Sequence, residues 1–141
     1  MKKQKDWDSL SYEENLSMDF IMENRDKLNF EGILFNYKFN EDQLEEIIPY
    51  FTDSCWGILT QNNPLSESFM TKHSDKIEWN SVWDCQIVSE KFTVRNIAKI
   101  NWYSLSISDN IKNFSQEFLE DHSSSIYWNY VKGIELQIVK K

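Results

Sequence analysis

Apolar and polar residues follow one another in a pattern that returns several times along this chain. The stretch KIEWNSVW, residues 76–83, is followed 23 positions later by KINWYSLS, residues 99–106, with Lys, Ile, Trp and Ser at the same four places and Leu in place of Val. The match extends in both directions and divides most of the chain into five blocks, with steps of 23, 26, 23 and 26 residues. The blocks begin at Leu16, Phe39, Leu65, Val88 and Phe114. A period of this length predicts small helical units that stack on one another.

The first half of each block predicts a short helix. With the first residue of a block counted as position 0, position 1 always carries a residue that caps helix N-termini well. These residues are Ser17, Asn40, Ser66, Ser89 and Ser115. Positions 4 and 5 are mostly apolar and supply the buried stripe of a helix predicted over positions 2 to 9. In block two, Gln43 stands where a capping box needs it.

The second half of each block predicts another short helix. Its N-cap is predicted at position 10, with Asp26, Asp75 and Ser124 as caps, and Glu78 follows Asp75 at the spacing of a capping box. Positions 14, 17 and 18 carry the apolar residues at helical spacing. The aromatic residues at position 14 are Phe30, Trp79, Trp102 and Trp128. An aliphatic residue three positions later favours the core for them over a stacking platform for bases or sugars.

Helices of this length do not persist alone in water, so each hairpin must bury its apolar stripes against a neighbour. We therefore predict an all-α fold, a solenoid-like array of about five short helical hairpins in a single compact domain. Residues 16–141 are assigned to this repeat domain. Residues 1–15 are assigned to an N-terminal capping segment, in which Trp7, Leu10 and Tyr12 cover the first hairpin.

Three segments fall between or beyond the predicted helices. Residues 60–64 (TQNNP) and 108–113 (SDNIKN) hold the extra residues of the two longer blocks, and their composition predicts longer loops. The end of the chain, GIELQIVKK from Gly133, alternates loosely like a short strand, although a helix end or a tail fits equally well.

The charge of the chain favours some classes of binding partner over others. The formal net charge is −8, but five lysines lie at the two ends of the chain: Lys2, Lys3, Lys5, Lys140 and Lys141. Without them, 23 acidic residues face 10 basic residues, a net charge of −13. Such a body repels phosphate backbones, which disfavours direct binding of nucleic acid, and it attracts a basic protein surface.

The sequence also indicates a compartment. It contains no apolar stretch typical of a signal peptide or a membrane span. Cys55 and Cys85 are isolated, with neither a CxxC motif nor the spacing of a disulfide framework. Reduced thiols in a cytoplasmic location are therefore expected.

Three blocks share a sequence motif: LSMDFIMENRDKLNF (16–30), LSESFMTKHSDKIEW (65–79) and VSEKFTVRNIAKINW (88–102). This LSxxF…DKIxW pattern resembles the short helical repeats in proteins of large DNA viruses and phages. The resemblance implies a helical-repeat fold and a viral setting. It implies no enzymatic activity, and no functional residue is carried over from it.

Two histidines are the first candidates for catalysis or metal binding. His73 and His122 both stand at position 8, where Asn24 and Asn96 stand in other blocks. A position shared by His and Asn is typical of a helix C-cap, because Asn tolerates the left-handed conformation. A metal pair is the alternative, but no cysteine lies near either histidine in the sequence. We therefore assign no catalytic, cofactor-binding or metal-binding residue.

The candidate partner-binding residues are acidic or aromatic. They are Glu41, Asp42, Glu45, Glu46, Asp53, Trp83 and Tyr103. The acidic ones lie between Lys38 and Lys72, a stretch without a basic residue, and form either an ordinary solvated face or a patch that docks onto Lys or Arg clusters. Trp83 and Tyr103 depart from the repeat consensus and are predicted on an exposed surface.

These features predict a non-enzymatic binding protein that occupies the surface of a basic protein partner. A nucleic-acid-binding host protein fits this charge, and an inhibitor of a host defence nuclease, as in anti-CRISPR nucleic-acid mimics, is the sharpest form of the hypothesis. The alternative is a structural, self-assembling protein associated with a virion. An enzyme is disfavoured, because no nucleophile, oxyanion cradle or Gly-rich phosphate loop is apparent.

Overall fold

The computed structural model describes residues 6–13 and 16–131, and these residues form α-helices and short 3₁₀ turns without any β-strand. The predicted all-α class is confirmed. The segment from Gly133, for which a strand was considered, lies outside the described residues. By its internal contacts the chain divides into two compact units, residues 1–77 (unit 1) and 78–141 (unit 2).

Each block contributes a first and a second helix. The first helices are α2 (Met18–Glu23), α4 (Glu41–Ile47), α6 (Glu67–Lys72), α8 (Glu90–Arg95) and α10 (Gln116–Asp121). The second helices are α3 (Phe30–Asn36), α5 (Asp53–Asn62), α7 (Trp79–Cys85) and α9 (Trp102–Ile107). Block five has a 3₁₀ turn, Trp128–Tyr130, in place of a second α-helix. One further helix, α1 (Trp7–Ser11), precedes block one.

The first helices begin where the sequence predicts. In all five, the side chain at position 1 accepts a hydrogen bond from the backbone N–H of position 4, and Asn40 and Gln43 form the capping box. The residues at position 5 are all buried: Ile21, Leu44, Met70, Thr93 and Leu119. A cap of this kind stabilises a helix by about 1 kcal/mol, which matters for helices of only six or seven residues.

The prediction for the caps of the second helices is wrong. Asp26, Asp75 and Ser124 are exposed residues in the turn after the first helix. The next element, an α-helix or in block five the 3₁₀ turn, begins four residues after them. Its cap is at position 13, and Glu78 is itself a cap rather than the partner of one. The later start leaves position 12 extended and lets its apolar side chain enter the core before the helix begins. Leu28, Ile77 and Ile126 are buried in this way.

The extra residues of the longer blocks do more than lengthen loops. Residues 60–62 continue α5, and residues 110–113 form a 3₁₀ turn. Both insertions bring in a buried asparagine. Asn63 accepts from the N–H of Phe39 at 2.7 Å, and Asn110 accepts from the N–H of Val88 at 3.0 Å. Each asparagine therefore fixes the chain at position 0 of its own block.

The helix α1 has the geometry of a second helix, which the division into five blocks missed. Its sequence WDSLS matches WYSLS at the start of α9. Ser11 donates to the carbonyl of Trp7 and accepts from the N–H of Asn29, and Ser106 makes the same pair of bonds in α9. At Gly32, α3 lies so close to α1 that an added Cβ would be 2.9 Å from the Tyr12 ring and 3.2 Å from the Ser11 Cβ, so a larger residue would displace these side chains.

Each unit is built from two rows of helices. In unit 1, α3 packs against both α1 and α5, and in unit 2, α7 packs against α9. The first helices form the other row, in which side-chain hydrogen bonds join α4 to α6 and α8 to α10. At position 17, Ile33, Val82 and Leu105 lie in the core, whereas Val131 is half-buried. At position 14, Phe30 is buried and the three tryptophans are half-buried.

Candidate partner-binding surface

The acidic stretch contains two kinds of carboxylate, and the first kind has partners inside the protein. Glu41 accepts from the backbone N–H of Ser66 at 2.7 Å and from its hydroxyl at 2.8 Å. Ser66 is the N-cap of α6, so Glu41 ties the start of α4 to the start of α6. In unit 2, Glu90 makes the same two contacts with Ser115, the cap of α10. The role of Glu41 in the described fold is therefore structural.

Glu45 also has partners on α6. Its carboxylate lies 2.8 Å from Lys72 Nζ and 3.1 Å from His73 Nε2. The hydrogen bond from Lys72, and then that from His73, lowers the pKa of Glu45 below its ordinary value, so the carboxylate stays ionised. Glu41 and Glu45 thus hold α4 beside α6.

Asp42 and Glu46 are the second kind of carboxylate. Both are exposed on the opposite side of α4 from buried Leu44, and neither has an ion-pair or hydrogen-bond partner in the described part of the chain. They stand at positions 3 and 7, which share one helix face. Asp53 is also exposed, but it begins α5 in the other row of helices. The structure therefore does not place Asp53 on the same helix face as Asp42 and Glu46.

Sequence reasoning missed two acidic residues at the same positions of block one. Asp19 and Glu23 occupy positions 3 and 7 on α2, and both are exposed. The end of α2 lies near the end of α4, because Arg25 donates to the hydroxyl of Tyr50 at 2.7 Å. A comparison of positions 3 and 7 across the blocks would have found this set. We call Asp19, Glu23, Asp42 and Glu46 the unit 1 acidic surface.

The two histidines serve as helix C-caps, as predicted. His73 ends α6 and His122 ends α10, while Asn24 and Asn96 end α2 and α8. The expected left-handed conformation is not adopted, since φ is −106° at His73 and −115° at His122. The amide of Asn24 instead donates to the carbonyl of Phe20 four residues earlier.

Each histidine ring packs among aromatic side chains. The ring centroid of His73 lies 4.6 Å from that of Phe69 and 5.3 Å from that of Trp56. His122 has the same distances to Phe118 and Trp102. Histidine at position 8 therefore has the same packing role in both blocks.

The prediction that Trp83 lies on an exposed surface is wrong. Its side chain is 0% exposed, and its indole N–H donates to the carbonyl of Lys99 at 3.0 Å. Position 18 faces the core, where Leu34 and Ser106 are also buried. The spacing of positions 14, 17 and 18 already contained this signal, because it places position 18 on the apolar stripe.

Tyr103 is exposed as predicted and belongs to a cluster of tyrosines. It is 44% exposed, and its ring meets the edges of Tyr127 and Tyr130 at centroid distances of 5.5 and 5.3 Å. A surface depression of about 330 Å³ lies beside Tyr130, between Ile107 and the ion pair of Asp109 with Lys112. Tyr103 lies in unit 2, whereas the acidic candidates lie in unit 1.

The described residues were also compared with what metal binding, a reactive cysteine and a membrane-spanning helix require. They contain no group of three or more His, Cys, Asp or Glu side chains that could hold a metal ion. Burial and the adjacent Asp84 raise the pKa of the Cys85 thiol, which keeps it protonated rather than nucleophilic. None of the helices in residues 6–13 and 16–131 has both the length and the apolar character needed to cross a membrane.

No protein-family model, no curated protein and no solved structure matches this chain.

Proposed function

We propose that the protein is a non-catalytic binding module whose unit 1 acidic surface docks onto a basic surface of a protein partner. The observation that carries this proposal is the separation of the carboxylates on α4. Glu41 and Glu45 are used to hold the helix, whereas Asp42 and Glu46 point to solvent without partners among the described residues. Asp19 and Glu23 extend the same charge onto α2.

The repulsion between the exposed carboxylates, which destabilises the helices, supports a binding role. Carboxylates four residues apart on a helix repel one another and destabilise it by a few tenths of a kcal/mol per pair. The pairs Asp19 with Glu23 and Asp42 with Glu46 both carry this cost, without the interhelical partners that Glu45 has. A basic partner would relieve the repulsion, and the long-range negative field would speed its association.

A more specific form of the proposal concerns the kind of protein that is bound. A surface that presents carboxylates on two neighbouring short helices competes for the Lys and Arg residues that normally bind phosphates. We therefore propose a nucleic-acid-binding host protein as the partner, with a defence nuclease inhibited by a virus or phage protein as the specific case. The resemblance to viral helical repeats and the net charge of −8 support this form of the proposal.

The experiment separates the exposed carboxylates from the paired ones. Asp42→Asn/Glu46→Gln removes two charges from the acidic surface and leaves the bonds of Glu41 and Glu45 intact. We expect it to weaken the binding of an arginine-rich peptide in solution about tenfold and to reduce the dependence of the affinity on salt. Isothermal titration calorimetry at low and high salt measures both effects.

The control is Asp8→Asn/Asp75→Asn, which removes two negative charges from exposed residues outside both the unit 1 acidic surface and the helices α8 and α10. This control should bind the peptide as the wild type does. Affinity purification from host cells with the three proteins as baits then identifies a partner that only Asp42→Asn/Glu46→Gln fails to retain. Equal peptide binding by all three proteins would contradict the proposal.

The alternative function is that of a self-assembling structural protein. It is supported by the opposite charges of the exposed residues on α8 and α10 in unit 2, since oppositely charged helices of two copies attract each other.

A further inference from the structure

Two neighbouring helices of unit 2 present opposite charges to solvent. Positions 3, 6 and 7 lie opposite the buried positions 4 and 5 and face outward. On α8 they carry Lys91, Val94 and Arg95, and on α10 they carry Glu117, Glu120 and Asp121. All six residues are exposed, and Val94 is 50% exposed despite its apolar side chain. We call these six residues the unit 2 outer face.

The helices α8 and α10 lie side by side, because Glu90 at the start of α8 bonds to Ser115 at the start of α10. Their opposite charges nevertheless form no ion pair with each other in the described part of unit 2. The comparison with unit 1 gives the physical reason. There, position 6 of one helix (Glu45) reaches position 7 of the next (Lys72), whereas in unit 2 these positions hold Val94 and Asp121.

The charges of the outer face are also matched in spacing. Lys91 and Arg95 are separated by four residues, as are Glu117 and Asp121. This separation corresponds to a rise of about 6 Å along each helix. A surface with a cationic pair beside an anionic pair of the same spacing is complementary to itself after a two-fold rotation.

We infer that two copies of this chain associate through the unit 2 outer face, with α8 of each copy against α10 of the other. Lys91 and Arg95 then meet the carboxylates of the second copy, and Val94 becomes buried near the centre. Ile97, which is 38% exposed after α8, adds apolar area at the edge. The carboxylates of the unit 1 acidic surface take no part, so this inference does not rest on the proposed function.

A charge exchange tests the inference. The variant Lys91→Glu/Arg95→Glu makes the whole face acidic, and Glu117→Lys/Asp121→Lys makes it basic. Each variant alone should be monomeric, because like charges then face one another across the two-fold axis. An equimolar mixture should associate, since each face now complements the other. The variant with all four substitutions should self-associate again while keeping the wild-type net charge.

Sedimentation equilibrium at about 50 mM salt measures the self-association, and circular dichroism confirms that each variant is folded. We expect the wild-type dimer to weaken about tenfold when the salt concentration rises to about 500 mM. Lys76→Glu, a change at an exposed lysine outside the face, is the control and should leave the dimer intact. A monomeric wild type at low salt, a dimeric Lys91→Glu/Arg95→Glu variant, or a mixture that fails to associate would each overturn the inference.

Discussion

At the scale of single residues, neighbouring carboxylates on one helix have different roles because their surroundings differ. Glu45 is bonded to Lys72 and His73, whereas Glu46, the next residue, has no partner among the described residues. The bond from Lys72 is the main cause of the lowered pKa of Glu45. A carboxyl group whose pKa is lower in the folded chain stabilises the fold at pH values above its unfolded pKa.

We expect Glu45→Gln to lower the melting temperature at neutral pH and to have little effect in acid. The contribution of Glu45 is complete above the unfolded-state pKa of about 4.3 and is lost as the pH falls through the lower folded-state value. Thermal unfolding of wild type and variant, followed by circular dichroism at several pH values, measures the difference. Glu46→Gln is the matched control, because it makes the same chemical change on the same helix without removing a bond. A difference between wild type and Glu45→Gln that stayed constant from neutral to acid pH would show that Glu45 acts through something other than its charge.

The sequence could predict residue roles that depend on local contacts, and it failed where the partner is distant. The N-cap of Ser66 and the C-cap of His73 follow from atoms three or four residues away, and both are confirmed. Glu41 bonds to a residue 25 positions later, which no local pattern reveals. Trp83 departs from the repeat consensus, which predicts exposure, but its burial follows from its helical position.

At the scale of helices, the short elements depend on their first residues. The cap of α10, Ser115, accepts from the N–H of Phe118 at 3.1 Å and is bonded to Glu90 of the neighbouring helix. Ser124, which the sequence predicted as a cap, is exposed in the turn and bonds to no described residue. The sequence could not separate the two cases, because serine is favoured in turns as well as at helix starts.

We expect Ser115→Ala to lower the free energy of unfolding by about 1 kcal/mol or somewhat more, since it removes a cap and its bond to Glu90. Ser124→Ala makes the same change at the residue predicted as a cap, and it should alter the free energy of unfolding by less than about 0.5 kcal/mol. Urea unfolding of the two variants and the wild type measures both values. Equal losses in the two variants would contradict the assignment of the caps.

At the scale of the whole molecule, the blocks repeat in pairs. The bond of Glu41 to Ser66 recurs as that of Glu90 to Ser115, 49 residues later, and the aromatic environment of His73 recurs at His122 with the same separation. The alternating steps of 23 and 26 residues add up to the same period of 49 residues. The burial of Asn63 and Asn110 in the longer blocks was not predictable, because asparagine in a polar segment normally indicates an exposed turn.

The two proposed binding surfaces lie in different units, and this leads to a last prediction. If two copies join through the unit 2 outer face, each assembly carries two unit 1 acidic surfaces. Two linked surfaces bind a densely coated target more tightly than one surface does, although the affinity of each contact is unchanged. Lys91→Glu/Arg95→Glu should therefore bind a dense layer of arginine-rich peptide at least about tenfold more weakly than the wild type. In solution it should bind the same peptide no more weakly than the wild type does, because its acidic surface is intact.

Surface plasmon resonance at high and low peptide density, with a solution titration alongside, measures the two affinities. The variant with all four substitutions in α8 and α10 is the control, since it keeps the wild-type net charge and should recover the tight binding at high density. The proposed acidic binding surface and the proposed dimer are contradicted by different measurements. A loss of binding in solution after Asp42→Asn/Glu46→Gln alone supports the acidic surface whatever the oligomeric state, whereas wild-type affinities that are equal at both densities would show that the acidic surfaces are not paired. The residues proposed to bind the partner lie on α2 and α4, and those proposed to form the dimer lie on α8 and α10. A change in peptide binding or in dimer formation can therefore be assigned to one of the two surfaces.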